Sequence, residues 1–95
     1  MKLPLRFEMT TTLAEFRRRL PAAVGQVPFV EEDGSFVHRE GERGWRIGLA
    51  PLPQFRAGLI ELERYQVDLQ FSGYSSEEID GFMARFELYF RRGGG

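Results

Sequence analysis

Residues 75–92 read SSEEIDGFMARFELYFRR, and this stretch decides the fold. Its large apolar residues are Ile79, Phe82, Met83, Phe86, Tyr89 and Phe90. They recur at the three- and four-residue steps that line one face of an α-helix. Ser75 is placed to cap that helix, and Glu78 can return a bond to the cap's own N–H, a capping box. Tyr74 and Ile79 have the spacing of a hydrophobic staple. Arg91 and Arg92 fall in the last turn, where the helix dipole favours cations. Gly93 can take the left-handed conformation that ends a helix. A strand reading of Phe86, Leu88 and Phe90 fails upstream, where Ile79, Phe82 and Met83 do not alternate. A face this wide and aromatic needs a wide cover, and the rest of the chain supplies a sheet.

Leu3, Leu5, Phe7 and Met9 alternate with polar residues as in a half-buried strand. Pro4 cannot donate to a ladder, which suits an edge. Thr12 and Glu15 repeat the capping-box spacing, and Leu13, Phe16 and Leu20 give a short amphipathic helix. Pro21 is expected to stop or kink it, with one further turn over Pro21 to Gly25. Val27 to Glu32 and Ser35 to Arg39 flank Asp33-Gly34, a strong hairpin signal. After a polar turn at Glu40 to Gly44, Trp45, Ile47 and Leu49 mark another half-buried strand.

Pro51 to Gly58 reads as a loop, because two prolines do not sit inside a central strand. Ile60 and Leu62 then alternate with glutamates, and Val67, Leu69 and Phe71 alternate with Gln66, Asp68 and Gln70. The apolar phase shifts from even to odd positions between these runs. A hairpin turning at Arg64-Tyr65 would repair the shift and set Glu61 opposite Asp68. Arg-Tyr is a poor tight turn, so a longer loop or a bulged continuous strand is the alternative.

The expected fold is a single α+β domain over residues 1–95, with 93–95 a flexible tail. An antiparallel sheet of about five to six strands is covered on one face by the long C-terminal helix, in the order β-α-β(4-5)-α. In element order the chain resembles the helix-grip and TATA-box-binding-protein-like folds, in which a curved antiparallel sheet wraps a C-terminal helix. That likeness rests on element order and implies an arrangement, not an activity.

Ninety-five residues with a net charge of −1 make one core and no basic field for nucleic acid. Arginine outnumbers lysine twelve to one. Arg17, Arg18 and Arg19 splay around their helix and read as a solvated face. Without cysteine there is no disulfide or thiol nucleophile, which fits a cytoplasmic protein. No apolar run reaches membrane-spanning length. The single histidine, His38, sits beside a polar turn and reads as solvated. Glu61, Glu63 and Asp68 form an acidic group whose bland reading is a neighbouring arginine, Arg46; a cation site is the sharper one. No metal, cofactor or catalytic set is called for.

The expected function is binding through a protein partner or homodimer. Gly81, Ala84 and Leu88 fall together opposite the Phe face and form one candidate contact surface, with Leu52 and Phe55 from the proline-flanked loop as another. The alternative is an apolar small molecule held against Phe82, Met83, Phe86 and Phe90, between sheet and helix. An enzyme using Glu or Arg residues in such a cavity ranks third.

Overall fold

The structure is a computed structural model that describes residues 5–58 and 60–91, the side chains of 54–57, 60, 61 and 91 excepted. In chain order the elements are β1 (Leu5–Thr10), α1 (Leu13–Ala23), β2 (Val30–Glu32), β3 (Ser35–Glu40), β4 (Arg43–Ala57), β5 (Ile60–Ser72) and α2 (Ser76–Arg91). The five strands form one antiparallel sheet in the order β1-β5-β4-β3-β2. Strands β2 to β5 run as a meander, and β1 closes the far side by pairing with β5.

Local chemistry starts both helices. The Glu78 N–H donates to Ser75 Oγ (3.1 Å) and the Ser75 N–H donates to Glu78 Oε1 (2.8 Å), so the capping box at α2 is complete. Glu78 also accepts from Arg43 Nη1 at 3.0 Å. The Ser75 N–H, then Arg43, hold its carboxyl below the usual range. At α1 the Glu15 N–H donates to Thr12 Oγ1 at 3.1 Å. Helix α1 then runs through Pro21 to Ala23 instead of stopping at Leu20. A proline inside a helix costs about 3 kcal/mol. Burial offsets this: Leu20 and Ala23 are fully buried, and a buried leucine contributes about 2 kcal/mol by itself. The Val24 and Gln26 N–H groups still reach Leu20 O and Pro21 O.

Both helices lie on one face of the sheet, so the long helix is not the only cover. Phe16 of α1 meets Phe36, Phe86 and Phe90 with ring centroids 5.5, 6.4 and 4.8 Å away. The helices also cap each other. Arg19 Nη1 donates to Tyr89 O near the end of α2 (3.0 Å), and Arg85 Nε donates to Ala22 O near the end of α1 (2.8 Å). Carbonyls in the last turn of a helix have no intrahelical donor, and each arginine supplies one to the neighbouring helix.

The Asp33-Gly34 hairpin forms with both residues at positive φ, 51° and 77°. Strand β2 is shorter than the expected run from Val27, because Pro28 has no N–H for a ladder. His38 is buried, not solvated. Its register partner is Trp45 on the helix-covered face, and the two rings lie 5.6 Å apart. His38 Nδ1 lies 2.6 Å from Pro28 O; a carbonyl only accepts, so Nδ1 carries the proton.

The largest departure from expectation is the β4–β5 hairpin. Pro51 to Ala57 are strand, not loop, and β5 is continuous through Arg64 and Tyr65. Tight-turn geometry falls at Gly58, whose φ is +63°. Pro51 is tolerated for a simple reason. The Leu49 N–H points away from β5, to Gly34 O, and by two-residue alternation the Pro51 nitrogen points the same way. The β3 ladder has ended by then, at Ser35↔Gly48, so no hydrogen bond is lost there.

Candidate contact surface

The ladder registers define an arm. Strand β1 follows β5 only to Thr10↔Arg64, and β3 follows β4 only to Ser35↔Gly48. One further backbone bond follows on each side, Leu49 N–H to Gly34 O and Thr11 N–H to Glu63 O; farther out, among the described strands, β4 and β5 pair only with each other. Strand β4 has 15 residues, which at about 3.3 Å each span about 50 Å. The longest dimension of the molecule is 47 Å, against 28 and 26 Å across. A two-stranded ribbon is at best marginally stable in water without a face to cover.

Along β5, Val67, Leu69 and Phe71 lie on the helix-covered face, and Gln66, Asp68 and Gln70 on the outer one. Strict alternation carries Leu62 onto that same outer face. The shift of apolar phase is therefore not a turn. It marks where the apolar side of the strand changes from the covered face to the outer face. Strand β4 makes the same change with a register shift between Leu52 and Phe55. Trp45, Ile47 and Leu49 are odd and covered; Leu52 is even and outer. After the shift Phe55 stands opposite Leu62 and Ala57 opposite Ile60 in the ladder. Leu52 is half-buried and Leu62 is 38% exposed. The side chain of Phe55 lies outside the described residues; its register position does not.

The other predicted surface residues separate into two groups. Gly81, Ala84 and Leu88 are exposed on α2, Leu88 by 60%, and a Cβ on Gly81 would meet nothing within 4 Å. Helix α1 packs on the opposite, Phe-bearing side of α2. Of the proposed ligand face, Phe86 is buried while Phe82, Met83 and Phe90 are half-buried. Phe82 packs on Phe71 (5.0 Å) and Trp45 (5.8 Å), and Phe90 on Phe86 (4.7 Å). These rings fill much of the space between sheet and helices.

A cleft of about 470 Å³ opens beside them, lined by Phe7, Met9, Phe86 and Phe90 together with Glu8, Thr10 and Glu87. A second, of about 300 Å³, shares Met9, Thr10 and Phe90 and adds Thr11, Thr12, Glu15 and Arg19. Hydrogen bonds from Arg18 and Arg19 pull the Glu15 carboxyl down to about 2. It is therefore ionised near neutral pH, without a proton to give or a tendency to take one.

The acidic group is not assembled by a hairpin. Register sets Glu61 opposite Arg56 and Asp68 opposite Arg6. Asp68 accepts from Arg6 Nε, not from Arg46, which lies 3.8 Å from Glu32. Glu63 accepts from the Tyr65 hydroxyl at 2.9 Å, which raises the tyrosine pKa. Among the described residues no group of three metal-ligating side chains forms. Arg17 is bidentate to Glu31, and Arg18 and Arg19 both reach Glu15. The arginines thus serve as ties within the chain. What the sequence reading missed was the arm itself, and its signal was present in the phase shift.

Among the described residues no helix is long and apolar enough to cross a membrane. Compared with family models, curated proteins and solved structures, the chain matches none.

Proposed function

We propose that this chain is a small binding domain that acts through protein–protein association, with the β4–β5 arm as its contact element. One observation carries the reading: Leu52 on β4 and Leu62 on β5 fall on the face away from the helices, where Leu62 is 38% exposed. A ribbon built only to link two strands has no use for leucines there, since the protein's own core lies on the other side. A partner does. A helix-grip or TATA-box-binding-protein-like arrangement belongs to this reading, supported by the meander with β1 beside β5 and α2 across the sheet. So does a cytoplasmic location, supported by a chain without cysteine.

The second reading is a carrier of an apolar small molecule. It is supported by the cleft at Phe7, Met9, Phe86 and Phe90, whose size is that of a small-ligand site. One experiment weighs both. The arm is shortened by replacing residues 53–63 with a two-residue Asn-Gly turn, which closes on the Leu52↔Arg64 pair, and wild type and shortened chain are compared by native mass spectrometry and thermal melting. Association through the arm predicts melting temperatures within a few degrees of each other, and that any complex wild type forms is absent from the shortened chain. Collapse of the shortened fold would make the arm part of the core and overturn the reading. A small-molecule adduct on both chains, without complexes, would favour the carrier.

A further inference from the structure

We propose that the free edge of β1 takes an extended peptide segment of a partner protein as an added strand, its alternate apolar side chains seated in the clefts beneath that edge. The site is separate from the arm, which begins where β1 ends. The ladder decides which backbone groups the edge offers. The Thr11 N–H donates to Glu63 O, so at two-residue steps Met9, Phe7 and Leu5 turn their N–H and C=O groups to β5. Arg6, Glu8 and Thr10 turn theirs the other way, where among the described strands nothing pairs with β1. These groups repeat every two residues, about 6.8 Å. An extended polypeptide repeats its own donors and acceptors at that step, and a small apolar molecule does not. The other edge strand, β2, has three residues and offers no comparable run.

The core is open on the same side. The inward residues Phe36, Trp45, Ile47, Val67 and Leu69 of the three central strands are at most 3% exposed. Those of β1, Leu5, Phe7 and Met9, are all half-buried, as is Phe90 of α2. The two clefts share Met9, Thr10 and Phe90, so they form one groove running under the edge from Phe7 to Thr12. A strand added about 4.8 Å beyond β1 would complete the apolar layer that Leu5, Phe7 and Met9 begin. On the outer face the Arg6 and Glu8 side chains stay 65% and 60% exposed beside Asp68 and Arg64. In antiparallel register the matching segment therefore carries an acid opposite Arg6, a base opposite Glu8 and apolar residues opposite Leu5, Phe7 and Met9.

An NMR titration of the isotope-labelled chain tests this. The probe is a capped peptide with valines opposite Leu5, Phe7 and Met9, glutamate opposite Arg6 and lysine opposite Glu8. Saturable shifts of the Arg6, Glu8 and Thr10 amides are expected. The same peptide N-methylated at its glutamate and lysine, whose N–H groups would face β1, is expected to bind at least about tenfold more weakly. Glu8→Pro removes an edge N–H that takes no part in the β5 ladder, so the fold should hold and peptide binding should fall by about tenfold. Glu8→Gln, which keeps that N–H, should bind within a few-fold of wild type. If Glu8→Pro does not fold, the methylated peptide on wild type decides. No saturable shift at millimolar peptide overturns the proposal, as do shifts centred away from β1. Equal binding of the two peptides also overturns it, and leaves the cleft an apolar pocket of the kind the carrier reading needs.

Discussion

Phe86→Ala is expected to cost about 3–5 kcal/mol of folding stability, the range for a fully buried phenylalanine. Phe86 is 1% exposed. Its ring meets Phe90 at 4.7 Å, Phe82 at 6.1 Å, Phe7 at 6.2 Å and Phe16 at 6.4 Å. It therefore joins α2, α1 and β1, and no single neighbour can move into the vacated space without leaving another contact. A domain of this size has about 5–15 kcal/mol of net stability, so the loss is a large share of the whole. Chemical denaturation of the variant measures it. A loss below about 1 kcal/mol would show that the aromatic face of α2 is not the centre of the core.

Gly44→Ala is expected to be the next most damaging change. A Cβ built on Gly44 would lie 2.3 Å from His38 O and 3.4 Å from the Arg39 Cα. Both obstacles are backbone of β3, so no side-chain rotation relieves them. Strand β3 must back away, and its hold on the buried His38 weakens with it. Forced overpacking of this kind costs about 1–3 kcal/mol and at times more. Gly81→Ala is the matched control. Nothing lies within 4 Å of its added Cβ, so the change should stabilise α2 by about 1 kcal/mol. Thermal denaturation of the two variants side by side checks the contrast; equal effects would contradict it.

Much of this fold is legible in the sequence because its signals are local. The capping box at Ser75, the Thr12 cap and the Asp33-Gly34 turn each name their own geometry within a few residues. Three features were not fully legible because each depends on distant parts of the chain. Pro51 and Pro53 argue against a strand only if β4 has a partner on both sides at that height, and it does not. His38 looks solvated beside its turn until register sets it against Trp45 and Pro28 O. Helix α1 outlasts Pro21 because Leu20 and Ala23 are buried, a tertiary fact. The phase shift between Leu62 and Val67 was visible, but a turn and a change of face produce the same pattern. The β4–β5 ladder through Tyr65 and Arg64 and the β1–β5 ladder, reaching Thr10↔Arg64, separate them.

The same ladders separate a body with its own core from an arm whose apolar side faces away from it. Amide hydrogen exchange across the arm tests that claim most directly. An uncovered two-stranded ribbon opens readily and exchanges fast. In dilute protein the amides of Phe55, Ala57 and Leu62 should therefore exchange fast, and those of buried Val67 and Leu69 slowly. Arm amides as slow as those of Val67 and Leu69 would contradict the account.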